Sequence, residues 1–244
     1  ARRQRQMCIR DRAELQQAVE QAKKDYGAMG IQAAVIQDGE VIAQAASGWA
    51  VNGQISMTPR HKMRCASLTK VAVGISAGVL MDQDVISPQD KLSNYWGVTV
   101  CNPSYPSIPI TVDMLLTHTS TLSDASGSLT ALKGSSARQR LAGSGYYGAK
   151  PGALSSWTYN NYGFSVLGMT LELAADQVLD DVLGDAILTP MGIDAAFEAG
   201  SVDDTGLLCA LYQGKSMTRS VATQKGYKCI DTPGYRGNFF LSLI

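Results

Sequence analysis

The stretch Ser67 to Met81, SLTKVAVGISAGVLM, constrains the fold more than any other part of the chain. Apolar or small residues lie almost all round its helical wheel, and Lys70 is its single charge. A helix of that kind is built to sit inside a protein, with other elements around it. Asp82, Asp84 and Ser87-Pro88 stop it. With 244 residues, 45% apolar and 17% charged, the chain has enough material to enclose such a helix. One large domain or two interleaved subdomains is therefore expected.

The flanking segments suggest what does the enclosing. From Ala13 to Tyr26, Leu15, Ala18, Val19, Ala22 and Tyr26 recur at the helical period, and Gly27 and Gly30 end the pattern. Ile31 to Ile36 and Glu40 to Ala46 are short apolar-rich runs joined by Asp38-Gly39, a dipeptide that accepts the positive φ of a tight hairpin turn. Pro103, Pro106 and Pro109 forbid regular structure, after which Thr111 can cap a short helix holding Met114, Leu115 and Leu116. Ser120 to Gly148 reads as a Ser-, Gly- and Ala-rich loop with one weak helix. Helical periodicity returns at Phe164 to Ala175 and Val178 to Leu188, with Pro190 and Gly192 closing the second. Beyond Ala199 the chain is rich in glycine and turns, with no internal repeat.

Several function classes fall away. The formal net charge is zero and no basic block is present, so no nucleic-acid partner is expected. No apolar run reaches the roughly 18 residues that cross a bilayer. Cys8, Cys65, Cys101, Cys209 and Cys229 show no C-x-x-C spacing, and with only His61 and His118 beside them neither a metal site nor a cofactor is expected. Cys209 and Cys229 flank a possible hairpin and could pair in an oxidising compartment, or stay as buried thiols. The first dozen residues, ARRQRQMCIRDR, lack the apolar core of a signal peptide. Met7 to Arg12 also resembles a translated sequencing adapter, so residues 1–12 are expected to be a non-native or disordered leader.

Two nucleophile patterns overlap in the buried helix. Gly74-Ile75-Ser76-Ala77-Gly78 fits G-x-S-x-G, which needs a strand ending at the serine and alternating strand and helix units before it. A helix, a hairpin and an irregular stretch do not provide them. Ser67-Leu68-Thr69-Lys70 fits S-x-x-K, and a helix start at Ser67 puts Lys70 one turn along on the same face. Lys70 is also the only cation between Arg64 and Lys91, in a run that would bury it, where an ammonium must be paired or lose its proton. A lysine so placed can serve as a base.

Downstream, PGALSSWTYNNYGFSVLG carries a polar loop straight into an apolar helix. Tyr159 and Asn161 can project from that loop into one cleft, the phenol handling a proton and the amide holding a substrate amide. Taken singly, Tyr159 could merely pack and Asn161 merely cap the helix. Together with Arg64-Cys65-Ala66 before Ser67, with Leu115-Leu116-Thr117-His118-Thr119-Ser120 and with Pro190-Met191-Gly192-Ile193, these pieces form an ordered set. The chain resembles the serine β-lactamase and penicillin-binding protein superfamily, in particular its class C-like branch with related carboxypeptidases and esterases, from about Ala13 onwards.

That resemblance implies an α+β fold of the β-lactamase/DD-peptidase kind, an antiparallel sheet flanked by helices with a mostly helical subdomain. Residues 13–64 would supply the first helix and sheet strands, 65–200 the mostly helical part and 201–244 a turn-rich segment. It implies that Ser67 is acylated, Lys70 activates it, Tyr159 handles the proton and Asn161 binds a β-lactam, a D-Ala-D-Ala-type or peptidoglycan-like peptide, or an ester. His118 is expected to be structural. A monomer is expected, and the parent protein is expected to be exported to the periplasm, cell surface or medium. The superfamily's third element, a K-T-G or H-x-G strand lending an oxyanion donor, has no match here, so the chain is read as a fragment with weak activity or none. A penicillin sensor or scaffold of the same fold is the non-catalytic alternative.

Overall fold

The computed structural model describes residues 2–124, 134–143 and 145–225. The described residues divide into two compact units, one formed by 2–63 with 203–225 and the other lying within 64–202.

The first unit opens on α1 (Arg2–Asp25), which runs further upstream than the apolar pattern from Ala13. β1 (Gly30–Gln37), β2 (Glu40–Val51) and β3 (Ile55–Ser56) follow as an antiparallel sheet in the order β1-β2-β3. Asp38 and Gly39 both have positive φ, 52° and 82°, so the hairpin turn has the handedness that matches strand twist. Period-two alternation along β2 buries Ala43 and Ala45 while Gln44 faces out, and α1 packs on this strand. Gly48 must be glycine: its φ is +89°, and a Cβ there would run into the Met29 carbonyl oxygen.

The later part of this unit, β4 (Leu211–Gln213), β5 (Ser216–Arg219) and α8 (Val221–Lys225), ties back to the early strands. Ala210 N–H donates to Ala50 O at 2.9 Å, and Lys62 N–H to Leu207 O at 2.8 Å. Cys209 is a buried free thiol 3.8 Å from the Met57 sulfur, and burial pushes its pKa up to about 11. Cys229 lies outside the described residues.

The second unit is helical: α2 (Thr69–Asp82), α3 (Ser93–Trp96), α4 (Val112–Leu116), α5 (Gly134–Gly143), α6 (Asn161–Ala175) and α7 (Leu179–Leu183). A π-turn at Gly184–Leu188 continues α7, so the periodic stretch to Leu188 changes winding at Gly184. The helix buried all round is α6, where every residue from Tyr162 to Glu172 is buried. In contrast, α2 buries one face, Ala72, Val73, Ser76, Ala77 and Leu80, while Val71 and Ile75 are exposed. The expectation of an enclosed Ser67–Met81 helix is thus corrected: α6 occupies the centre, and α2, α3 and α4 pack against it. Trp96 donates its indole N–H to Thr170 Oγ1 at 2.9 Å, fixing α3 on α6. The G-x-S-x-G match falls wholly inside α2, and buried Ser76 donates to Ala72 O at 3.0 Å. With neither strand nor turn before it, Ser76 is no elbow nucleophile.

Among the described residues no helix is long and apolar enough to cross a membrane, and no three His, Cys, Asp or Glu side chains gather as a metal site.

Candidate active site

Ser67 sits in a 3-10 turn, Ala66–Leu68, that leads directly into α2. Residues three apart are eclipsed in a 3-10 turn, so Lys70 follows Ser67 on the same side. Ala66 holds φ +47°, a left-handed conformation that costs an L-residue roughly 1 kcal/mol and breaks the chain direction just before the serine. Ser67 stays exposed and Lys70 is half-buried.

The second wall begins at α4. Thr111, extended at φ −112°, caps it by accepting from Met114 N–H at 3.4 Å. At the other end His118 N–H donates to Leu115 O and Thr119 N–H to Met114 O, the paired bonds of a Schellman stop, with His118 in the left-handed region at φ +59°. Glycine is the usual residue there, so the imidazole at this position has a job. Its Nδ1 accepts from Asn160 N–H at 3.2 Å, which places the ring proton on Nε2. Trp157, Tyr159 and Phe164 surround the ring, with centroids 6.1, 4.9 and 4.9 Å away. Burial, and next the Lys70 charge, hold the His118 pKa below its ordinary value, while Asp124 opposes them. His118 thus carries the loop that holds Tyr159 and Asn161.

That loop is built around Asn160. Asn160 is buried and extended; its side-chain oxygen accepts from Gly163 N–H to cap α6, and its Nδ2 donates to Leu122 O at 2.6 Å. Asn160, rather than Asn161, is therefore the helix cap. Asn160 turns inward to cap α6, while Tyr159 before it and Asn161, the first residue of α6, reach Ser67 and Lys70. Tyr159 Oη donates to Ser67 Oγ at 2.8 Å. Lys70 Nζ donates to Asn161 Oδ1 at 2.7 Å and lies 4.6 Å from the Tyr159 ring centre and 5.7 Å from that of Phe164. All four residues singled out in the sequence meet in one cluster.

Hydrogen bonding from Lys70 and then from Ser67 holds the Tyr159 pKa below its ordinary value, outweighing burial and the Asp124 charge. The neutral phenol donates to Ser67, and the ionised form accepts from it. Proton exchange between these two oxygens needs no bridging group.

Asp124 belongs to the same cluster and matches no motif. Its carboxylate accepts from Asn161 N–H at 3.0 and 3.1 Å, from Tyr162 N–H at 2.8 Å and from Asn161 Nδ2 at 3.1 Å. The available signal was isolation: it is the only acidic residue between Asp113 and Glu172.

A family profile described as Beta-lactamase matches residues 15–207. No curated protein sequence matches the chain. Among solved structures, the octameric penicillin-binding protein homologue from Pyrococcus abyssi is 19% identical with a TM-score of 0.70, over 95% of this chain and 52% of that one. The Beta-lactamase/D-alanine carboxypeptidase from Yersinia pestis is 23% identical with a TM-score of 0.69, over 93% and 64%. EstCE1, described as a hydrolase with promiscuous acyltransferase activity, is 22% identical with a TM-score of 0.67, over 95% and 68%. The chain thus spans about half to two thirds of the length of these proteins, and shares their fold.

Proposed function

Since the chain belongs to the beta-lactamase family of serine hydrolases, we propose that Ser67 is the nucleophile of an acyl transfer from an amide, β-lactam or ester carbonyl to water. Ser67 Oγ attacks the carbonyl carbon and its proton passes to ionised Tyr159. The tetrahedral adduct then expels the amine or alcohol, which takes that proton from Tyr159. Water attacks the acyl-enzyme, gives its proton to Tyr159, and the released Ser67 oxygen takes it back. Lys70 favours the ionised phenol, and Asn161 offers a side-chain N–H to the substrate carbonyl.

The observation that carries this reading is the 2.8 Å bond between Tyr159 Oη and Ser67 Oγ with the Lys70 ammonium under the same ring. A base is useful within about 2.6–3.2 Å of the proton it takes. The similar solved structures include EstCE1, a hydrolase with promiscuous acyltransferase activity, a Beta-lactamase/D-alanine carboxypeptidase and a D-amino acid amidase from Ochrobactrum anthropi, names that support an acyl-transfer reaction and leave the leaving group to be measured. Labelling of the whole protein with a fluorescent penicillin or a fluorophosphonate tests the assignment. Lys70→Ala should abolish labelling, and a variant labelled at the parent's rate refutes the role of Lys70.

A further inference from the structure

An amide side chain has one acceptor end and one donor end, and Asn161 has opposite demands on its two sides. Lys70 is donor-only and Asp124, ionised, is acceptor-only. In the observed orientation Asn161 Oδ1 accepts from Lys70 at 2.7 Å and Nδ2 donates to Asp124 Oδ2 at 3.1 Å. Turned by half a revolution, the amide would set donor against donor and acceptor against acceptor.

We propose that Asp124 is a positioning residue of the site: its carboxylate fixes the direction of the Asn161 amide so that an oxygen, and not an NH2 group, faces Lys70. This rests on the reading of Ser67, Lys70 and Tyr159 as acylation machinery. The carboxylate is itself held by Asn161 N–H and Tyr162 N–H, two donors that the first turn of α6 leaves without helical partners. Negative charge is favoured at that end of a helix. The order set by α6 therefore passes through Asp124 to the Asn161 amide, to Lys70, and on to the Tyr159–Ser67 pair. One of the two Nδ2 hydrogens is engaged by Asp124, which leaves a single donor with a fixed direction for a substrate carbonyl.

Asp124→Asn tests this in the full-length protein, because it is nearly isosteric. Its oxygen keeps the two backbone N–H groups, so the cap on α6 survives. Its new NH2 group, in place of Oδ2, meets the Asn161 NH2; the amide turns, and Lys70 loses its oxygen. Labelling of Ser67 by a fluorescent penicillin or fluorophosphonate should slow about tenfold, the usual effect of one lost charge-assisted bond. In an Asn161→Ala background the same substitution should cause no further slowing. The Tyr159 titration, followed by NMR of ring-labelled tyrosine and assigned with Tyr159→Phe, supplies a sign test. Among the described residues Ser67, Lys70, His118 and Asp124 bring polar groups to that ring; burial raises its pKa and the Asp124 charge adds to that rise, whereas Lys70 and Ser67 lower it. A bystander Asp124 predicts that Asp124→Asn lowers the Tyr159 pKa, whereas loss of Lys70 from its place predicts a rise.

An unchanged labelling rate, equal slowing in both backgrounds, or a lowered Tyr159 pKa overturns the inference. Should the parent fail to label at Ser67, the acylation reading falls, while the Tyr159 titration still decides what Asp124 does.

Discussion

Replacing Tyr159 by phenylalanine removes one oxygen and little else. The ring contacts with His118 at 4.9 Å and with Lys70 at 4.6 Å persist, whereas the hydroxyl's interactions with Ser67 and Lys70 are lost. Tyr159 is 44% exposed, so the lost bond to Ser67 is a partly solvated neutral hydrogen bond. Its net contribution to folding is at most about 1 kcal/mol. The kinetic loss is of another order: general acid–base catalysis contributes roughly 10²–10⁴-fold, or about 3–5 kcal/mol of barrier. A gap of that size between rate and stability is the mark of a proton-transfer group. Quenched-flow measurement of the acylation rate with a fluorescent penicillin or fluorophosphonate, beside calorimetric melting of the same samples, reads both quantities. Acylation within about threefold of the parent, in a protein that melts normally, would remove Tyr159 from the proton route.

Asn160→Ala should cost more stability than an exposed cap, about 2–3 kcal/mol in urea unfolding, because it strips Gly163 N–H and the Leu122 carbonyl of their partner at a buried site. A loss below about 0.5 kcal/mol would contradict the central place given to Asn160 in the loop. His118 has a depressed pKa, so the neutral ring is the form the fold prefers, and the unfolded chain binds its proton more readily. Its contribution is complete above the ordinary value of 6.5 and is lost as pH falls through the lowered folded value. Urea midpoints between pH 7 and pH 4.5 should thus drop more steeply for the parent than for His118→Asn, and parallel slopes would contradict the lowered His118 pKa.

Local chemistry made much of this legible from sequence. Asp38-Gly39 announced its turn because few residue pairs tolerate two positive φ values, and Thr111 announced α4 because an extended threonine before Met114 has a free N–H to accept. Ser67 and Lys70 were visible through their spacing and the lysine's isolation among apolar residues. What stayed hidden depends on distant partners. Nothing local tells Asn160 from Asn161 as the cap; the choice follows from Leu122, His118 and Asp124 presenting bonds from another loop. The exposed side of α2 is equally invisible, since Val71 and Ile75 look like core until α6 takes the central place. The return of residues 203–225 to the first strands rests on pairings such as Ala210 with Ala50, too far apart for any periodicity to register.

The central claim is that the hydroxyl at position 67 forms the covalent bond. Peptide mapping by mass spectrometry after brief treatment of the full-length protein with a penicillin or a fluorophosphonate tests it most directly. The adduct is predicted on the peptide containing Ser67, absent from Ser67→Ala and unaffected by Ser76→Ala. An adduct that persists in Ser67→Ala, or that maps to another residue of the parent, would contradict it.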